Sequence, residues 1–236
     1  MGMFDPSEFD LLALDAVIES YDYDNDLILQ KHFHGIETDL CAQIENYGRG
    51  INDYGKVMMD HLRRTSEDGR DFLIHLGFSE KAANNFYHAN LLQDLGKIHE
   101  AFDVELWSLP YRPSPEQKAE KREHVHRGPE IFSEAVQEEM DILFNHPHVG
   151  NLIPAIQMFH HERVDGKGTY GKTGDQMGKV IKAACIVDAK DGDMMKRPHQ
   201  KRERTEEEAL ERMASDPKYD GAFDDLLDIY IKYRMG

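Results

Sequence analysis

Residues 159–168 read Phe159-His160-His161-Glu162-Arg163-Val164-Asp165-Gly166-Lys167-Gly168. An apolar helical pattern ends here in two adjacent imidazoles and a carboxylate, and the chain then enters a glycine-rich turn. Amphipathic spacing does not account for neighbouring histidines, because consecutive helical residues point about 100° apart. At a helix terminus both rings can still face one ion if the following turn bends away. Two such rings hold an ion only when a scaffold brings further ligands to the same place.

The scaffold around them reads as nearly all α. Apolar residues recur at three- and four-residue spacing, and sustained period-two alternation is absent. Ser114-Pro115-Glu116-Gln117 supplies a helix cap, a first-turn proline and a Gln three residues after the cap. Thr205-Glu206-Glu207-Glu208 repeats that capping logic, Ser79-Glu80 opens a helix expected to carry Phe86, Tyr87, Leu91, Leu92 and Leu95, and Asp216-Pro217 separates two closing helices. Breaks are expected at Leu109-Pro110-Tyr111-Arg112-Pro113, at His146-Pro147-His148-Val149-Gly150, and across Gly166, Gly168, Gly171 and Gly174. The pattern predicts about nine or ten helices. Residues 1–50 read as an N-terminal helical extension without the chemistry described below, and residues 51–236 as the domain that carries it.

A length of 236 residues suffices for a self-supporting core. The two cysteines, Cys41 and Cys185, read as small hydrophobes, not as a disulfide framework. A net charge of −17 argues against duplex nucleic acid or an anionic membrane as a partner. The N-terminus lacks a basic stretch followed by an apolar core, and no apolar run approaches membrane-spanning length. A soluble, cytoplasmic protein is expected. Thirteen histidines in so acidic a chain are informative, since imidazoles beside carboxylates suit a divalent transition metal: iron, manganese or zinc.

Read outward from His160 and His161, the candidates are His61 in Met59-Asp60-His61-Leu62-Arg63, Asp94 in Gln93-Asp94-Leu95-Gly96-Lys97, and Asp188 with Asp191 in Asp188-Ala189-Lys190-Asp191. Asp94 follows Leu91-Leu92, which predicts burial, and an unpaired buried carboxylate is costly unless a cation meets it. This order of a first His, a pair ending in Asp, and a distant Asp is that of the HD superfamily. The HD-GYP branch is closer still: His124-Val125-His126-Arg127-Gly128-Pro129-Glu130-Ile131 resembles its HxxxGxEI segment, residues 160–166 resemble HHExxDG, and Asp188 through Arg197-Pro198 resemble DxxDxxxxxRP. The resemblance spans roughly residues 57 to 212.

It implies an HD-domain helical bundle with one or two ions, iron or manganese by preference. His61, Asp94 and Asp188 would hold one, and Asp94, His124, His160 and His161 a second, with His126 the substitute should His124 not serve. It further implies that a hydroxide activated between the ions attacks phosphorus, that Lys97 and Arg197 offset phosphate charge, and that Asp191 orients a ligand or water. The implied substrate is a phosphorylated small molecule of the cyclic dinucleotide (cyclic di-GMP) type, and a homodimer or a signalling protein is the implied macromolecular partner.

The sequence departs from that family in several places. Gln93 stands where the first letter of HD belongs and offers only a neutral oxygen, a weak ligand for such metals. Val57 occupies the place of a third-metal Glu. The loop reads Gly168-Thr169-Tyr170-Gly171 instead of Gly-Tyr-Pro, and His199-Gln200-Lys201 follows Arg197-Pro198, with Lys201 offering its charge one position late. Three functions share these residues: a metal-dependent phosphodiesterase or other phosphohydrolase, a degenerate domain that binds metal or nucleotide and signals by contact, and an HD-type di-iron oxygenase.

Overall fold

Helices begin where the capping residues stand. In the computed structural model, which describes residues 4–48, 53–107, 111, 113–196 and 202–236, the Ser79 hydroxyl accepts from the Ala82 amide. Ser114 with Gln117, and Thr205 with Glu208, close reciprocal capping boxes. The helices are α1 (Leu14–Val17), α2 (His34–Asn46), α3 (Tyr54–His75), α4 (Glu80–Asn90), α5 (Pro115–Arg122), α6 (His124–Ala135), α7 (Met140–Leu143), α8 (Ile153–Phe159), α9 (Lys179–Met194), α10 (Glu206–Ser215) and α11 (Asp225–Met235). Among the described residues there is no β-strand, only one isolated bridge between Asp165 and Thr173. The all-α expectation holds, and no described helix is long and apolar enough to cross a membrane.

Two boundaries differ from the sequence pattern. The helix opened by Ser79 stops at Asn90 instead of running through Leu95, and the chain tightens through a turn into a short 3-10 segment, Leu95–Ile98. The reason is close packing: a Cβ on Gly96 would lie 1.9 Å from the His124 carbonyl oxygen, so only glycine lets this turn meet the start of α6. The break expected across residues 146–150 is shorter, because a wide helical turn from His148 to Leu152 leads directly into α8.

α9 is buried on most of its circumference through Val180, Ile181, Ala183, Ala184, Ile186 and Val187, which marks it as the central helix. It packs against α3, α8, α10 and α11. Its far end carries carboxylates, each with a cationic partner: Asp193 bonds Arg212 at 2.7 Å, and Asp191 bonds Arg64 at 2.7 Å. Lys190 reaches back to Asp68 of α3 at 2.7 Å, and Asp68 also accepts from Tyr230 and Arg234 of α11. Three helices are thereby cross-linked by one buried carboxylate. Cys185 is buried and Cys41 partly so.

Residues 4–48 contribute to this core. Leu11, Leu14, Ile18, Leu29 and Phe33 are buried in the same cluster as α3, α8 and α9. Polar contacts fix the segment as well: Asn85 of α4 donates to the Ile18 and Tyr21 carbonyls and accepts from the Tyr23 amide. Asp15 accepts from the Lys179 and Val180 amides at 2.9 and 3.0 Å, so it caps α9, whose own N-cap residue, Gly178, has no side chain to do so. A carboxylate there also meets the positive end of the helix dipole. Replacing Asp15 by Ala leaves these amides unpaired and is expected to destabilise the protein by about 1 kcal/mol, measured by chemical denaturation; unchanged stability would show that the cap is replaceable by water.

Candidate metal centre

Six side chains from separate elements converge beside the far end of α9. His61 projects from the middle of α3, Asp94 from the turn after α4, and His124 is the first residue of α6. His160 closes α8, His161 follows it, and Asp188 lies on α9. Ligand atoms of His61, Asp94 and Asp188 lie within 4.8 Å of one another, as do those of His124, His160 and His161. Each group could hold a metal ion. Asp94 joins them, since one oxygen faces His61 and the other faces His124 and His160.

The hydrogen bonds around the rings fix which nitrogen carries the proton. His61 Nδ1 lies 2.7 Å from Asp191 Oδ2, and a carboxylate only accepts, so Nδ1 is the donor. Arg64 grips the same carboxylate through Nε at 2.7 Å and a terminal nitrogen at 2.9 Å. In the neutral ring His61 Nε2 then presents a lone pair to Asp188 Oδ1 at 3.2 Å and Asp94 Oδ2 at 3.5 Å. His124 Nδ1 donates to the Lys121 carbonyl at 2.6 Å, and His160 Nδ1 to the Ile156 carbonyl at 2.9 Å. Their Nε2 atoms consequently face each other as lone pairs at 3.2 Å, with Asp94 Oδ1 at 3.1 Å from one and 3.5 Å from the other. Despite these short distances Asp94 Oδ1 accepts no well-aligned hydrogen bond.

Lone pairs directed at lone pairs in a buried pocket repel unless a cation sits among them. Mixed imidazole and carboxylate donors suit a transition metal, and the outer hydrogen bonds to Asp191, Lys121 and Ile156 are of the kind that orient metal-binding histidines. The charge balance agrees. Burial pulls the His61 imidazole down, but Asp188, Asp191 and Asp94 outweigh it and hold it up at about 10, so a cation bound at Nε2 must displace a proton from this ring. Burial would raise Asp94, yet Lys97 and the imidazoles of His124, His160 and His61 keep it well below the usual carboxylate range. Asp188 is likewise held low, with burial opposed by His61 and His161. Burial and the nearby Lys97 charge push His124 down to about 4, which leaves that ring neutral and able to donate its lone pair. The donor set fits a divalent transition metal.

No family model matches the sequence, and no curated protein does. Among solved structures the chain is similar to Bd1817, a HDG"Y"P protein from Bdellovibrio bacteriovorus, with a TM-score of 0.59 and 15% sequence identity, over 94% of this chain and 69% of that one. The chain has an HD-GYP-like fold. At this identity the likeness speaks to the fold alone, and the chemistry rests on the side chains.

Within the HD-GYP-like fold the other sequence candidates occupy distinct places. Lys97 Nζ bonds Asp94 Oδ2 at 2.5 Å and lines the adjoining cavity. Asp191 touches His61 and Arg64. Gln93 is fully buried and donates to Thr65 Oγ1 at 3.3 Å, while its Oε1 has no hydrogen-bond partner. Of the alternatives His124 and His126, only His124 is in the cluster; His126 is exposed and meets the Tyr170 hydroxyl at 2.7 Å. Arg197 and Lys201 lie outside the described residues.

Sequence reasoning missed three features. Arg64 follows His61 by three residues, a helical neighbour whose role becomes visible only once Asp191 faces it. Lys118, Lys121 and Arg122 line the cavity beside the cluster, and no motif flagged them. Glu162, read only as part of a motif, is buried and accepts from the Tyr170 amide at 2.6 Å and the Lys172 amide at 2.7 Å, which ties the loop that stands in place of Gly-Tyr-Pro to the end of α8. In Glu162→Gln one of the two acceptor oxygens becomes a donor. Exchange of the Tyr170 and Lys172 amides with solvent deuterium is then expected to accelerate by about tenfold or more; unaltered protection at both would mean that the loop is held by other contacts.

Proposed function

We propose that this protein is a metal-dependent phosphohydrolase whose reactive centre is the cluster joined by Asp94. The observation that carries this reading is the meeting of the His124 and His160 Nε2 lone pairs with Asp94 at one buried point, beside His61 and Asp188. In this proposal His61, Asp94 and Asp188 hold one divalent ion, and His124, His160 and His161, with Asp94 shared, hold another; iron or manganese is the first choice and zinc the next. Ions held there would activate water for attack on phosphorus and offset charge on the phosphoryl oxygens.

The chain's own residues supply the remaining parts. Asp191, fixed by Arg64, keeps the His61 proton on Nδ1, and the Lys121 carbonyl does the same for His124. Lys97 lies between Asp94 and the cavity, where its ammonium group can move to a non-bridging oxygen of a bound phosphate. The cavity has a volume of about 390 Å³ and is bounded by His61, His161 and Asp188 on the side of the cluster. The resemblance to HD-GYP sequences makes the phosphodiester of a cyclic dinucleotide the first substrate class to test, with Arg197 and Lys201 as further phosphate contacts.

Gln93 favours a second reading, a domain that retains a metal or nucleotide without turnover. It replaces an imidazole by a neutral amide engaged with Thr65. Metal content and turnover of bis(p-nitrophenyl) phosphate separate the two: wild type loaded with iron or manganese is expected to cleave this diester, whereas a loaded but inert protein would leave the binding reading standing. Asp94→Asn removes the shared charge and is expected to lower bound metal, measured by plasma mass spectrometry, together with any turnover; full metal content in this variant would sink the assignment. Gln93→His is expected to raise occupancy if an imidazole there reaches the ion.

A further inference from the structure

α5 ends two residues before His124, and the His124 ring donates its Nδ1 proton to the carbonyl of Lys121 at 2.6 Å. The last turn of this helix is therefore one imidazole away from the cluster. Lys118, Lys121 and Arg122 stand at i, i+3 and i+4, which places them on one helix face, and all three line the cavity that also contains Lys97, His161 and Asp188. Glu116 and Glu120 of the same helix do not line it; Glu120 turns to Arg127 at 3.2 Å. Among the described residues neither Lys118 nor Arg122 forms an ion pair.

That pattern is unusual for a chain of net charge −17. Several other cations are matched to carboxylates, as Arg64 is to Asp191, Lys190 to Asp68, Arg212 to Asp193 and Arg163 to Asp165. Basic residues in the last turn of a helix are favoured by its dipole, which accounts for their presence on α5 but not for the sorting of cations into the cavity and acids away from it. Met195, Ala222 and Phe223 line another part of the same cavity and offer apolar surface. A ligand with one anionic group at the cluster, a second at α5 and an organic body matches all three surfaces.

We propose that Lys118, Lys121 and Arg122 form a subsite for a second phosphate group, so that the substrate is an organic molecule carrying two phosphates, one beside the Asp94 cluster and one held by α5. This rests on the phosphohydrolase reading for its first phosphate. The bond between the His124 ring and the Lys121 carbonyl sets the α5 backbone beside the cluster, and a nucleoside diphosphate is the simplest ligand of this class to test. Lys118 and Arg122 are exposed residues that line the cavity, and they would close on the phosphate by charge-assisted hydrogen bonds.

The test is calorimetric titration of the metal-loaded full chain with ADP and with AMP, which differ by one phosphate. Wild type is expected to bind ADP about tenfold more tightly than AMP, and Lys118→Ala/Lys121→Ala/Arg122→Ala to bind the two about equally. Lys31→Ala/Lys56→Ala/Lys232→Ala removes the same charge from exposed positions outside the cavity and is expected to keep the preference. Should the α5 triple variant fail to fold, Lys118→Glu alone, at an exposed position, is expected to reduce the preference. A wild type that does not distinguish ADP from AMP, or an α5 variant that still does, overturns the subsite. Cleavage of bis(p-nitrophenyl) phosphate, which has a single phosphate, is followed in parallel: ADP preference without cleavage removes the hydrolase reading and keeps the subsite, and cleavage without preference does the reverse.

Discussion

The arrangement depends on a carboxylate with no access to water. Asp94 is fully buried at the junction of α4, α6, α8 and α9, and transfer of an ionised carboxylate from water costs far more than any single neutral contact returns. Its ionised form persists because Lys97 and the imidazoles of His61, His124 and His160 all face it. Each of those groups is buried too, and each would be unfavourable there alone. The cluster is a set of mutual compensations in which removing one member leaves the others uncompensated, which is why its geometry is fixed by hydrogen bonds one layer further out.

That outer layer is built from ordinary features of helices. The carbonyl of Lys121 at the end of α5 accepts the His124 ring proton, and that of Ile156 near the end of α8, which also accepts the His160 backbone amide, accepts the His160 ring proton. The ends of these two helices thus set two ring tautomers. On the other side Asp191 does this for His61, and Arg64 neutralises Asp191, whose own burial would otherwise raise it; with His61 and Arg64 it is held at about 2. Gly96 permits the approach of the Asp94 turn to α6 on which all of these distances depend.

Charge is distributed unevenly over the molecule. Acidic residues dominate the chain as a whole, yet the cavity beside the cluster is lined by Lys97, Lys118, Lys121, Arg122, Arg163 and Lys218. Asp188 and Glu162 line the same cavity, so its cations outnumber its carboxylates without excluding them. Lysine and arginine side chains are thus concentrated beside the cluster in a chain whose net charge is −17. The HD-GYP-like scaffold contributes the bundle, and these side chains set the charge of the cavity beside the cluster.

The sequence by itself determined the helical class, the helix starts at Ser79, Ser114 and Thr205, and a short roster of imidazoles and carboxylates that includes all six members of the cluster. These are legible because caps and periodicity act over three or four residues, and because His160-His161 has no amphipathic explanation. Only the tertiary structure decided that the helix after Ser79 stops at Asn90, that His124 and not His126 joins the cluster, that Asp15 caps α9 from 164 residues away, and that α5 turns its cations toward the cavity. Those facts depend on which surfaces of distant segments meet, and close packing at points such as Gly96 is a property of two backbones in contact, of which a single stretch of sequence records only one.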